Sequence, residues 1–196
     1  MHFREVLFFR SADEWEGNVA CRSDSASCGF ELRNEGPFMT ANRSNAIVYA
    51  SVHHGNTRQL AEALSAELSA DRFTVEEAKS VDLSQYHLVG MGSGIYFGRH
   101  HQSLLDLVDA WNTPPRRVFI FSTAGLPFLR RFQHAALRSR LSQKGCQMLS
   151  EFCCRGWDTV GPLWLLGGIN RKHPNAKDLD RACEFAQQLQ ALASVS

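Results

Sequence analysis

Short apolar runs alternate with helical patterns from residue 45 to the end of the chain. Ala46–Ala50, His87–Gly92 and Arg117–Ser122 are almost continuously apolar, which is typical of strands buried on both faces of a parallel sheet. A less apolar strand is predicted over Phe73–Ala78, and a fifth over Cys146–Cys154. Strands that alternate with helices join into a parallel sheet through right-handed crossovers, with helices covering both faces.

The helical patterns lie between these strands and after the last of them. Leu60, Leu64 and Leu68 recur four residues apart, which places them on one core-facing stripe. Gly145 follows the third helix at the position where glycine commonly ends one. The predicted helices are 56–69, 102–111, 130–143 and 176–192.

Five strands and these helices predict an α/β three-layer sandwich with a parallel sheet in the order 2-1-3-4-5. In such a doubly wound sheet the ligand lies outside the carboxyl ends of the strands, where the winding reverses between strands one and three. The loops after strands one, three and four are therefore where we expect the function.

The first 44 residues carry no sustained periodicity and contain polar clusters such as CRSDSASCG and TANRSN. We predict a poorly ordered extension over residues 1–44, with strand character only at Val6–Phe9, and one domain over residues 45–196. Charges lie within and directly after the short VLFF run, so the beginning makes a poor secretory signal. Met39 lies just ahead of the first convincing strand, which makes it an alternative first residue of the natural product.

Charge and cysteine content exclude several classes of protein. Lys and Arg total 21 against 20 Asp and Glu, so no overall field draws the chain to nucleic acid. No apolar run approaches the roughly 20 residues that span a bilayer, so no integral membrane segment is predicted. The six cysteines are expected to be thiols in a reducing, cytoplasmic location.

The loop after the first strand has the composition of a phosphate site. It consists of Ser51, Val52, His53, His54, Gly55, Asn56 and Thr57. Such a loop turns backbone N–H groups toward one point, and the following helix N-terminus adds positive potential there. The loop lacks lysine and the Walker spacing, so nucleoside triphosphate hydrolysis is not expected. Neutral donors predict a phosphomonoester site; capping of the helix by the same side chains is the alternative.

Two further loops follow strands three and four at the same sheet edge. The candidate contacts in the second loop are Ser93, Gly94, Ile95, Tyr96, Phe97 and Gly98. Those in the third loop are Ser122, Thr123, Ala124 and Gly125. Two aromatic side chains among glycines offer flat faces to a planar ring, and stacking contributes roughly 0.5–1.5 kcal/mol beyond burial. The alternative is that both aromatics plug the end of the sheet.

Four segments in order carry a resemblance to flavodoxins. IVYASVHHGNTRQLAEAL resembles their phosphate loop, and its S-x-x-x-G-N-T spacing is similar to that of flavodoxin-type protoporphyrinogen oxidases. GMGSGIYFGRHHQSLLDLV is similar to the second flavin loop of those enzymes, and FSTAGL to the third flavin loop of several flavodoxin-domain proteins. GWDTVGPLWLLGGINRKHPNAKDL resembles the final loop of uncharacterised family members. The resemblance implies a flavodoxin-like fold, noncovalently bound FMN and Tyr96 as a stacking residue.

The function expected from this resemblance is electron transfer, or a small flavin-dependent oxidoreductase with a redox partner protein or a small organic acceptor. The balanced charge departs from the acidic surface usual in flavodoxins, which keeps an enzyme open, including one like the protoporphyrinogen oxidases. The basic membrane-docking insertion expected of that activity is not evident. A receiver domain would need acidic residues where Ser51 and Ser93 stand. A flavin-free interaction module on the same fold is the other alternative.

Several further residues are candidates for chemistry. Two histidine pairs, His53–His54 and His100–His101, lack the cysteines or carboxylates that would complete a metal-ligand spacing, so no metal site is predicted. Adjacent Cys153 and Cys154 are expected to serve packing, because only a strained bridge can join neighbours. No catalytic residue is assigned.

Arginines and a long last loop lie next to the predicted site. Arg130 and Arg131 follow the third loop and are candidates for docking an acidic partner or substrate. The loop over residues 155–174 is long for a compact domain, which often signals function. Three roles are open for this loop: a cover for the flavin, a partner surface, or a plug at the end of the sheet.

Overall fold

Six strands and six α-helices make up the part of the chain that the computed structural model describes, which is residues 43–52, 55–157 and 169–195. The strands are β1 Arg43–Ala50, β2 Asp71–Thr74, β3 Tyr86–Tyr96, β4 Arg99–His100, β5 Arg117–Ala124 and β6 Gln147–Arg155. The helices are α1 Asn56–Leu68, α2 Val75–Ala78, α3 Gln102–Asp109, α4 Arg130–Gln133, α5 Ala135–Gln143 and α6 Ala176–Val195. Short 3-10 turns span Leu83–Gln85 and Pro127–Leu129.

The sheet has the predicted doubly wound topology. Its parallel strands follow the order β2-β1-β3-β5-β6, and β4 pairs antiparallel with β3. Counted over the parallel strands alone, this is the predicted order 2-1-3-4-5, so the fold prediction is confirmed with one strand added. The winding reverses between β1 and β3, which places the ligand-binding edge at their carboxyl ends.

Two apolar cores lie on the two faces of the sheet. Successive residues of a strand point to opposite faces, so Ile47 joins the core under α1 and α6, whereas Val48 joins the core under α3 and α5. The predicted stripe of α1 is buried as expected, with Leu60 and Leu64 at 0% exposure. None of the helices in the described residues is long and apolar enough to cross a membrane.

The second strand is shorter than predicted. β2 ends at Thr74, and the rest of the predicted strand forms the short helix α2. A capping box causes this change: the Thr74 N–H donates to Glu77 Oε2 at 2.7 Å, and the Glu77 N–H donates to Thr74 Oγ1 at 3.3 Å. The prediction that residues 75–78 continue the strand was wrong.

Other boundaries also differ from the prediction; β1, for example, begins at Arg43 rather than at Ala46. The helix predicted over residues 130–143 is divided at His134 into α4 and α5. β3 and β5 extend into residues assigned to loops, as far as Tyr96 and Ala124. Gly145 ends α5 as predicted, with φ 81. Predictions for residues 1–42, for His53 and His54, and for the centre of the last loop lie outside the described residues.

Candidate functional site

The first predicted loop leads into α1 through a left-handed residue. Gly55 has φ 67, a conformation that glycine adopts without steric cost. No side chain caps α1 among the described residues. Ser51 Oγ accepts the Arg58 N–H at 3.3 Å, but the N–H groups of Asn56 and Thr57 have no acceptor in the described part of the chain. The helix start therefore offers two backbone donors and its positive dipole end to an anion.

The side chains of Asn56 and Thr57 join this loop to its neighbours. Asn56 Nδ2 donates to the Trp157 carbonyl oxygen at 2.8 Å. Thr57 Oγ1 lies 2.9 Å from Thr123 Oγ1, and both threonines are buried. The two side chains hold the first loop against the third loop and the end of β6, and they leave anion binding to the backbone.

A cleft borders the first loop on its other side. It has a volume of about 420 Å³ and lies between the loop and the beginnings of α2 and α3. Val52, Gly55 and His101 line it, and Val52 is 54% exposed. The cleft gives an anion at the start of α1 an open approach.

The second predicted loop is a β-hairpin. β3 and β4 are joined by Phe97 and Gly98, with φ 48 and 78, as a two-residue turn with both φ values positive requires. Phe97 stands at the tip and is 90% exposed. Tyr96 packs edge-on against His101, with 5.5 Å between the ring centroids. Phe97 is therefore the aromatic face that this hairpin leaves open.

A slot of about 250 Å³ lies between the hairpin and the third loop. Its lining residues are Ile95, Phe97, Gly98, Ala124, Gly125, Leu126, Leu129 and Gln133. Gln133 Nε2 donates to the Leu126 carbonyl oxygen at 3.2 Å, whereas Gln133 Oε1 is buried with no donor among the described residues. The slot thus combines apolar walls with one unpaired acceptor, and no charged side chain is among the described residues that line it.

Comparisons with known proteins identify the family of the chain. A family model described as the flavodoxin domain matches residues 46–154, which is more than half of the chain. The chain belongs to the flavodoxin family. The match extends from β1 to β6 and includes the three loops described above.

Individual relatives support the same assignment. An uncharacterized protein of Methanocaldococcus jannaschii is 43% identical over 143 residues, covering 73% of this chain and 95% of its own. Flavodoxin 2 of Bacillus cereus superposes with a TM-score of 0.57 at 16% identity, over 78% of this chain and 99% of its own. An oxidoreductase of Corynebacterium diphtheriae superposes with a TM-score of 0.56 at 18% identity, over 79% of this chain and 98% of its own. The two structural likenesses show the fold alone.

Beneath the loops of this flavodoxin domain lies a buried polar chain. Ser122 Oγ is 2.7 Å from His134 Nε2, and His134 Nδ1 is 3.1 Å from Glu151 Oε2. Arg138 holds the same carboxylate through two nitrogens, at 2.6 and 2.8 Å. Glu151 and Arg138 are thus a bidentate ion pair, the strongest form of such a pair.

The protonation states of this chain follow from burial and its hydrogen bonds. Burial lowers the pKa of His134 although Glu151 opposes that shift, so the imidazole is neutral at pH 7. Burial alone would raise the pKa of Glu151, but hydrogen bonds from His134 and Arg138 outweigh it and lower the pKa to about 2. His134 Nδ1–H therefore donates to the carboxylate, and Nε2 accepts the Ser122 hydroxyl proton.

This Ser–His–Glu order matches that of a hydrolase triad, but its setting does not. Ser122 and His134 are both at 0% exposure, so a substrate cannot reach the hydroxyl oxygen. The chain instead fixes the end of β5, from which the third loop emerges. Ser122 is among the ligand contacts predicted from the sequence, but its side chain is committed to this chain of hydrogen bonds.

A second buried histidine extends the polar layer. Ser93 Oγ accepts the His101 N–H at 2.9 Å and lies 2.9 Å from His100 Nδ1. The rings of His100 and His134 have their centroids 4.8 Å apart. Burial, and then the neighbouring His134, hold the pKa of His100 well below its ordinary value. The Ser93 side chain thus stabilises the β3–β4 hairpin from below rather than facing the slot.

Glu151→Gln is expected to change how the stability of the domain depends on pH. The pKa of Glu151 is about 2 in the folded protein against 4.5 as its ordinary value, so its carboxylate stabilises the fold fully above pH 4.5. This contribution of about 3 kcal/mol, from 1.36 kcal/mol per pKa unit, is lost as the pH falls from 4.5 toward 2. The variant should be less stable at pH 7 and show a flatter profile over that window in urea titrations.

Glu184→Gln serves as the matched control for this experiment, because Glu184 is an exposed carboxylate on α6. Its profile should follow that of the wild type. If the free energy of unfolding of Glu151→Gln fell in parallel with that of the wild type between pH 4.5 and 2, the stabilising role of the Glu151 carboxylate would be contradicted.

Proposed function

We propose that this flavodoxin domain binds FMN noncovalently across the three loops and transfers electrons through it, as an electron-transfer protein or a small oxidoreductase. The observation that carries the proposal is the apolar slot between Phe97 and the third loop, which Thr123 joins to the start of α1 with its free backbone donors. Flavodoxin-family membership supports it independently. When bound, FMN supplies one- and two-electron chemistry.

The phosphate group of FMN fits the start of α1. The N–H groups of Asn56 and Thr57 would hold the phosphate together with the dipole of a 13-residue helix. A monoester that is bound and not cleaved needs no lysine to stabilise a developing charge, and the described part of the loop contains none.

The ring system fits the slot in size and chemistry. The exposed ring of Phe97 would stack on the flavin, and backbone N–H groups of the third loop would meet its carbonyl oxygens. Gln133 Oε1, buried and without a donor in the described residues, fits an N–H group of the same ring edge. Phe97 would then take the stacking role that the resemblance to flavodoxins implied for Tyr96, because Tyr96 packs against His101.

The lining of the slot would also influence the redox behaviour. Apolar walls exclude water, and the described lining holds no positive side chain that would favour added negative charge on the ring. Each tenfold difference in affinity between two redox forms corresponds to about 59 mV for one electron. Neutral His100 and His134 beneath the loops likewise add no positive charge at pH 7.

The test is the flavin content and the affinity of the purified protein. We expect a visible flavin spectrum, release of FMN on denaturation, and uptake of FMN by the apoprotein at least a hundredfold tighter than that of riboflavin, which lacks the phosphate. Protein without flavin absorbance that takes up no added FMN would support the flavin-free interaction module. Anaerobic mixing with NADH and with NADPH would then separate a reductase from a shuttle.

A further inference from the structure

The turn Pro127–Leu129 contributes to two spaces, the slot described above and a further cavity of about 510 Å³. Leu129 lines the slot, whereas Pro127 and Phe128 line the further cavity. The other walls are the end of β6 and the first turns of α6. A molecule in this cavity would thus lie one turn of chain away from the proposed flavin site.

The lining of this cavity is strongly basic. Four arginines surround it, from three elements distant in sequence: Arg130, Arg131, Arg155 and Arg181. The one carboxylate in the lining is Asp178, and it is already engaged. Its Oδ2 accepts the Asn175 N–H at 3.1 Å and pairs with His173 Nδ1.

These four arginines lack an acidic partner. No carboxylate of the described residues lies within ion-pair distance of them, which also holds for Arg99, Arg116 and Arg171. The arginines that do hold such a partner are Arg58, Arg72, Arg138 and Arg140. Like charges brought together without counter-ions repel, so this arrangement favours an anion that binds from outside.

The floor of the cavity does not supply the missing negative charge. Cys153 and Cys154 line it and are 7% and 1% exposed. Burial raises the pKa of both thiols, so they are uncharged at neutral pH. An anionic ligand therefore meets no competing thiolate.

One wall is apolar and open. Phe128 is 77% exposed, and Pro127 lies next to it. A flat aromatic face beside several guanidinium groups suits a ligand with a planar apolar body and separate acidic groups. A bare inorganic anion would leave this face uncovered.

We propose that this cavity binds a small planar organic dicarboxylate. Two carboxylates match four guanidinium groups as two-pronged hydrogen-bonded pairs. The proposal stands on the cavity itself and does not depend on the proposed flavin function.

The experiment is a calorimetric titration of the full chain with naphthalene-2,6-dicarboxylate at low ionic strength. We expect one site per chain, with affinity reduced at least tenfold in Arg155→Gln/Arg181→Gln and at least tenfold lower for the monoanion 2-naphthoate. The control Arg116→Gln/Arg140→Gln removes the same charge away from the cavity and should bind as the wild type does. Circular dichroism checks that both variants are folded.

Equal affinities in the two double variants, or no saturable binding to the wild type, would overturn the inference. An FMN titration of the same wild-type sample separates this result from the proposed function. If the protein binds FMN but not the dicarboxylate, only the anion site is contradicted. If it binds the dicarboxylate but not FMN, the anion site is supported and the proposed flavin function is contradicted.

Discussion

Val52→Asp is expected to weaken FMN binding by at least about a hundredfold. Val52 lies in the first loop, 54% exposed and among the residues that line the cleft beside the start of α1. A carboxylate there would face a phosphate dianion, and charges of −1 and −2 about 6 Å apart repel by roughly 3 kcal/mol at an effective dielectric constant near 40. Because Val52 is exposed, the substitution costs the folded protein little packing.

The neutral variant Val52→Asn isolates the charge. It is similar in size to aspartate, and its affinity for FMN should stay close to that of the wild type in fluorescence titrations of the apoprotein. Raising the salt concentration should reduce the difference in FMN affinity between the two variants, because salt screens the repulsion between exposed charges. Riboflavin lacks the phosphate and should bind both variants alike. If Val52→Asp and Val52→Asn bind FMN equally, the phosphate does not lie at this helix start.

The sheet order was predictable because burial on both faces leaves a simple trace in the sequence. The runs at Ala46–Ala50 and Arg117–Ser122 are apolar at nearly every position, and such runs occur in strands between two helical layers. The second strand was predictable only in part, since it lies at the edge of the sheet and its pattern is weaker. There the local Thr74–Glu77 capping box outweighed strand propensity.

The hairpin shows where local patterns mislead. Glycines and aromatics at residues 92–98 favoured an irregular loop, yet residues up to Tyr96 continue β3. Phe97 occupies a left-handed conformation that a bulky residue adopts infrequently, so composition alone does not predict a two-residue turn there.

The edge of the sheet on which the candidate site lies follows from topology, whereas its supporting contacts do not. The topology rule points to the carboxyl ends of the strands, and the three candidate loops lie there. The supporting contacts join Ser122, His134 and Glu151, which lie on β5, at the break between α4 and α5, and on β6. These elements come together only in the folded domain, so no spacing in the sequence indicates the contacts. One signal was available: Glu151 is a charged residue within a strand otherwise expected to be buried, and such a charge requires a partner. Gln133 gave no signal, because it is one polar residue among several in a helical segment.

Gly92→Ala is expected to destabilise the domain by about 3 kcal/mol, the upper end of the usual range for overpacking. Gly92 pairs with Phe121 across β3 and β5, and a Cβ at Gly92 would lie 2.3 Å from Phe121 Cε2. Gly90 repeats this arrangement, since its Cβ would lie 2.4 Å from Phe119 Cζ. Rings from β5 therefore fill the space that β3 leaves on this face, and the two strands pack as one unit.

Two companion variants make this prediction specific, with urea midpoints of the apoprotein as the measurement. Gly98→Ala adds a Cβ that meets no atom within 4 Å, so it should cost only the roughly 1–2 kcal/mol of a left-handed alanine. Phe121→Leu replaces the ring that clashes with the new methyl group by a smaller side chain. The double variant Gly92→Ala/Phe121→Leu should therefore be more stable than the sum of the two single effects implies. Additive effects, or a Gly92→Ala no worse than Gly98→Ala, would show that β3 shifts to accept the methyl group. Because the tips of β3 and β5 bound the slot, the clash in Gly92→Ala should also weaken FMN binding, and Phe121→Leu should restore part of it.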